Sequence, residues 1–121
     1  MGAIEKSTGN RFLYYNHVVK FRDIAMRGPW TSGGVEFNFG LIGHIPTTAT
    51  PVDYTIQENK DGSVSCFVGA LELMTDTRWM IEINLPKDKA YFTTRVLWEN
   101  SSGMSQPFYN WSNAAYHDGD D

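Results

Sequence analysis

Two runs of alternating side chains flank a single turn, and they constrain the fold more than anything else in the chain. Val52 to Glu58 alternates with Val52, Tyr54 and Ile56 on one side, and Ser63 to Gly69 alternates again. Between them lies Asn59-Lys60-Asp61-Gly62. An Asp-Gly step joining two period-two runs predicts a β-hairpin, because alternation matches a half-buried strand and glycine takes the left-handed backbone a tight turn needs. The same period recurs in Arg78 to Leu85, with Trp79, Ile81, Ile83 and Leu85 on one face, and in Ala90 to Glu99, with Phe92, Thr94, Val96 and Trp98 on one face. No segment sustains a 3.6-residue apolar period. Short strands broken by turns every few residues predict an all-β fold, an antiparallel β-sandwich or barrel.

Further strands are expected at Phe12 to Tyr15, His17 to Ile24, Val35 to Phe39 and from Gln106 to Trp111, with an extension toward Tyr116. Leu41 to Pro51, with Gly43, Pro46 and Pro51, is expected to be a loop. Leu71 to Asp76 is ambiguous and fits a connection. Pro86 to Lys89 and Asn100 to Gly103 read as turns, the second of them of hairpin type.

With 121 residues, there is room for one domain with one core. Charged residues make up 20% and the net charge is −4, without a run of Lys or Arg, which argues against nucleic-acid binding. The apolar stretches are too short to span a membrane as a helix. The lone cysteine, Cys66, has no basic neighbours and reads as a small half-buried strand residue rather than a reactive thiol. No cofactor motif and no zinc-type ligand spacing is present.

Candidate chemistry concentrates in Gly28-Pro29-Trp30-Thr31-Ser32-Gly33-Gly34-Val35-Glu36-Phe37-Asn38-Phe39-Gly40. Alternation sends Glu36 and Asn38 to one face and Val35, Phe37 and Phe39 to the other. A carboxylate and an amide beside aromatic rings suit a hydroxyl-rich ligand, and they also describe an ordinary exposed strand face. Glu36 is the leading acid–base candidate. Glycoside cleavage needs a second carboxylate. The possible partners are Asp53, Glu72, Asp76, Glu82 and the terminal acids Asp118, Asp120 and Asp121. Asp53 is preferred only for its place in one of the blocks that carry the resemblance described next. His44, in the loop Gly43-His44-Ile45-Pro46, is a candidate acid, base or hydroxyl donor. Arg27, Trp30, Asn38, Trp111 and Asn113 complete the set as groups able to stack on a ring or bond to hydroxyls. Core packing is the competing reading for both tryptophans. His17, inside an expected strand, reads as structural, and Trp79 and Trp98 read as core.

The Gly28–Gly40 run, together with His44-Ile45-Pro46-Thr47-Thr48, Pro51-Val52-Asp53-Tyr54, Glu58-Asn59-Lys60-Asp61-Gly62 and Asn110-Trp111-Ser112-Asn113-Ala114-Ala115, resembles the bacterial family known as domain of unknown function 5107. That resemblance covers the chain from about residue 11. It implies a galactose-mutarotase-like β-sandwich that holds sugars on a concave face, in glycoside-hydrolase-like proteins. Such a sandwich exceeds the present length, so the resemblance also implies an internal fragment; its compartment, cytoplasm or periplasm, is left open. The expectations are therefore a carbohydrate ligand, with glycoside cleavage, a purely binding module or a mutarotase as alternative activities. A structural domain that dimerises through exposed strand edges is a further alternative.

Overall fold

The structure is a computed structural model that describes residues 1–16, 22–23, 29–30, 33–40, 43–48 and 50–117. Its elements, in chain order, are β1 (Arg22–Asp23), β2 (Pro29–Trp30), β3 (Val35–Phe39), a 3-10 turn (Pro46–Thr48), β4 (Asp53–Glu58), β5 (Val64–Glu72), β6 (Thr77–Leu85), β7 (Thr93–Asn100) and β8 (Asn110–Ala114). Every strand pairing among the described residues is antiparallel. The chain is thus all-β, consistent with a β-sandwich. It forms two compact units, Met1–Ala49 with Tyr109–Asp121, and Thr50–Phe108.

The second unit is a four-stranded meander in the order β4-β5-β6-β7. Its first turn follows from the sequence residue by residue. Gly62 N–H donates to Asn59 C=O, Asn59 N–H donates to Ser63 C=O, and Gly62 has φ 81°. This is a type I turn closed by a left-handed residue, the three-residue hairpin loop that Asp-Gly favours. Polar side chains finish it. Asp61 Oδ1 accepts from Ser63 N–H and Oγ–H, and the Asn59 and Asn84 amides both donate to Ser63 and Ser65. Ser65, fully buried, donates in turn to Glu82. The Glu58–Gly62 block is therefore turn architecture, with its bonds spent inside the hairpin.

The register aligns Tyr54, Val68, Ile81 and Val96 across the sheet, flanked by Ala70, Trp79 and Trp98. This is the apolar face. Trp79 and Ile81 are its buried centre, and Phe108 stacks on Trp98 at 4.4 Å between ring centroids. Burying Ile81 alone contributes about 2 kcal/mol.

β5 and β6 run further than the alternation implied. Leu71 and Glu72 belong to β5, and the connection shrinks to residues 73–76. Buried Glu72 explains the tight return: its carboxylate accepts from Met74 N–H, Thr75 N–H and Thr75 Oγ–H. β7 begins at Thr93 rather than Ala90. The expected hairpin at Asn100–Gly103 does not form, because β8 pairs with β3 and not with β7. Asn100 Oδ1 instead accepts from Ser102 N–H and Oγ–H, and Ser101 Oγ donates to Asp76 C=O. These local bonds turn the chain without returning it along β7.

In the first unit, β3 and β8 pair with Glu36 opposite Asn113 and Asn38 opposite Trp111. Residues 12–15 are not a strand. Leu13 makes a single bridge to Tyr116, and Tyr14 N–H donates to Ala115 C=O. Gly33 and Gly34, with φ 109° and 66°, turn the chain sharply into β3, a conformation that side-chain-bearing residues rarely adopt. Gly34 also exchanges backbone bonds with Tyr14 and Ala115. Leu13, Phe39 and Ile45 are the buried apolar residues here. Of the strand expected at His17–Ile24, residues 22–23 form β1, and the remainder lies outside the described residues.

Candidate functional site

Strand pairing brings Glu36, Asn38, Trp111 and Asn113 to one face of the β3–β8 ribbon, since directly opposed residues share a side. The segment after β3 returns over that face. Asn38 is what holds it there: its Oδ1 accepts from Ile45 N–H at 3.1 Å and from Thr48 Oγ–H at 2.9 Å. Asn38 has no exposed surface. Alternation suggested a polar face open to solvent, but at this end of β3 both Asn38 and Phe39 are buried, and the polar face is the one the loop covers. Asn38 thus positions the loop instead of presenting its amide outward. Its Nδ2 is a buried donor that finds no partner among the described residues.

The loop delivers His44 onto Glu36. His44 Nδ1 stands 2.7 Å from Glu36 Oε1, with both side chains about nine-tenths buried. A carboxylate only accepts, so His44 Nδ1 donates the hydrogen bond to Glu36. The other carboxylate oxygen, Oε2, accepts from Asn113 Nδ2 at 3.1 Å. Asn113 Oδ1 accepts from Trp111 Nε1 at 2.6 Å. His44 closes the circuit, its ring 5.4 Å from the Trp111 ring and tilted by 43°.

The result is one connected network, His44–Glu36–Asn113–Trp111, graded from inside to outside. His44 is 6% exposed, Asn113 half-buried and Trp111 36% exposed. Gly43 lies against the indole, where an added Cβ would stand 3.4 Å from Cε3 and Cζ3. Tyr109 meets the Trp111 ring edge-on at 6.4 Å. Each indole contact therefore fixes the ring while leaving part of it open to solvent. Burial makes the Glu36–His44 pair costly to break, since loss of either partner strands the other in a poorly solvated place.

The remaining candidates are Asp53, Arg27 and Trp30. Asp53 is exposed on β4 in the second unit, at the rim of a shallow groove lined by Phe67, Gly69, Arg78, Met80 and Leu97. Arg27 and His17 lie outside the described residues. Trp30 contributes backbone to β2, opposite Arg22, and its side chain is outside them too. Among the described residues, no three His, Cys, Asp or Glu side chains gather as a metal ion requires, and no helix is long and apolar enough to cross a membrane.

Sequence reasoning passed over Gly43, Thr48 and Tyr109 as parts of the site. Tyr109 was within reach, because a residue two before Trp111 on a strand shares its face. Gly43 and Thr48 carried no comparable signal, since their roles depend on how the loop closes.

The fold and the network together define an all-β, antiparallel protein with a buried Glu–His pair supporting an exposed indole. The family model described as "Domain of unknown function (DUF5107)" matches residues 1–121, and the chain belongs to that family. No solved structure gives a significant match to it.

Proposed function

We propose that the chain binds carbohydrate on the face presented by Trp111 and Asn113. The observation that carries this reading is the connected network ending in an exposed, immobilised indole. Such a ring offers an apolar plate for the C–H face of a sugar, at little entropic cost because its torsions are already held. Beside it, Asn113 has spent one N–H on Glu36 and one lone pair on the indole. A second N–H and a second lone pair remain to meet adjacent hydroxyls, the donor and acceptor pattern that vicinal hydroxyls complement. Glu36 and His44 act from beneath, orienting Asn113 and packing the indole.

This site would serve a bacterial, glycoside-hydrolase-like system of the galactose-mutarotase-like superfamily. The described residues favour binding over cleavage. Glycoside hydrolysis uses two carboxylates flanking one bond, and Glu36 is the one carboxylate in the network. A mutarotase reading draws on the 2.7 Å Glu36–His44 contact, a carboxylate–imidazole pair of the kind that moves protons in acid–base catalysis.

The test is binding of the chain to a panel of neutral mono- and oligosaccharides by calorimetry, alongside Trp111→Ala. At least one saccharide should bind, and truncating the indole should weaken it by about 1–3 kcal/mol, roughly 5- to 150-fold. Polarimetry of freshly dissolved glucose and galactose, with wild type and Glu36→Gln, decides the mutarotase reading. Anomerisation that persists unchanged in Glu36→Gln rules that reading out.

A further inference from the structure

Among the described residues, β4 is an unguarded edge. It ends the four-stranded sheet, and all six of its residues are exposed. Its four central residues, Tyr54-Thr55-Ile56-Gln57, carry no charge. Edge strands usually carry a charge, proline or bulge that blocks further pairing. The opposite edge, β7, has that guard in Arg95 and Glu99, whereas β4 has only Pro51 before it and acids at its two ends.

The hairpin fixes which backbone groups of β4 remain open. Asn59 N–H donates to Ser63 C=O, so the Asn59–Ser63 pair faces inward across the hairpin. Hydrogen-bonded and non-hydrogen-bonded pairs alternate along an antiparallel ladder. The pairs Gln57–Ser65, Thr55–Phe67 and Asp53–Gly69 are therefore also inward. The N–H and C=O groups of Tyr54, Ile56 and Glu58 point away from β5, to the free edge.

We propose that β4 pairs with β4 of a second copy, antiparallel, about a two-fold axis at Thr55. Three observations select this register. It sets Tyr54 opposite Ile56 of the other copy, both outward-facing, so that about four backbone hydrogen bonds form on either side of the axis. It joins two exposed apolar side chains, 72% and 64% accessible, in cross-strand pairs that extend the apolar face of β4 to β7 from one copy into the next. It also sets Asp53 opposite Gln57 and Glu58 opposite Val52, so that no two acids oppose each other. Shifting one residue either way mismatches the faces. The occupant is a second copy of this chain because the strand is complementary to itself.

Light scattering at tens of micromolar gives the mass, and engineered cysteines in a Cys66→Ser background give the register. The axis makes Thr55 face its own copy as a non-hydrogen-bonded pair, with Cα atoms about 4.5 Å apart, within disulfide range. Under mild oxidation Thr55→Cys should cross-link on the order of tenfold faster than Gln57→Cys, whose partner position is Asp53. Ile56→Lys should yield monomer. Because the cysteine pair reads the contact directly, the outcome does not depend on that variant folding. A monomeric wild type, a dimer that Ile56→Lys leaves intact, or equal cross-linking at 55 and 57 overturns the proposal.

Discussion

At the scale of single residues, Glu36 joins the loop that carries His44 to strand β8. It bonds to His44 through one oxygen and to Asn113 through the other, and the pair with His44 is almost fully covered. Glu36→Ala is expected to destabilise the protein by about 3 kcal/mol, because His44 and Asn113 then lose their acceptor in a buried setting. Thermal unfolding of the variant measures it, and a loss below about 0.5 kcal/mol would show the network to be dispensable. Trp111→Ala, at a partly exposed ring, should cost far less stability and act mainly on binding. Glu36, His44, Trp111 and Asn113 were legible as candidates from residue type and neighbourhood alone. That they meet was not, because the loop bearing His44 closes through Asn38, and a buried amide that anchors a loop looks in sequence like an exposed one.

At the scale of elements, two of the three turns of the meander, β4–β5 and β5–β6, are held by their own side chains. Gly62 sits at φ 81°, where an added Cβ would meet the Lys87 side chain at 2.8 Å. Gly62→Ala is expected to cost about 1–2 kcal/mol, mostly from left-handed backbone strain, as read from chemical denaturation. In the same turn, the Ser63 hydroxyl and then its N–H hold the Asp61 carboxyl below its ordinary pKa. A depressed folded-state pKa gives stability that is complete above the ordinary carboxylate value and fades as pH falls through the lowered one. Asp61→Asn should therefore flatten the acid limb of the stability curve below about pH 4, and an unchanged limb would contradict the bond. The β5–β6 turn rests on Glu72, whose replacement by Ala removes three hydrogen bonds and should cost about 2–3 kcal/mol. Period-two alternation and Asp-Gly made the first hairpin readable in advance. Glu72 capping its own turn was not readable, since a Glu beside Leu71 and Leu73 gives no periodic signal. Asn100–Gly103 misled for the opposite reason: it has turn composition, but which strand follows a turn is decided by long-range pairing, here β8 with β3.

At the scale of the whole molecule, membership of the DUF5107 family and an all-β, antiparallel architecture are firm, and carbohydrate binding is the reading that the site supports best. The family blocks divide into two kinds. Glu58–Gly62 builds a hairpin, whereas Val35–Gly40, His44–Thr48 and Asn110–Ala115 converge on the network around Glu36. A block's physical role thus emerges only when its hydrogen bonds are followed. The most direct test is a two-dimensional NMR titration with the tightest-binding saccharide of the panel, following the indole N–H signals and the Asn113 side-chain amide. Movement of the Trp111 and Asn113 signals, with those of Trp79 and Trp98 still, is the predicted result. Signals of Trp111 and Asn113 that stay fixed while a saccharide binds, or shifts confined to Trp79 and Trp98, would contradict it.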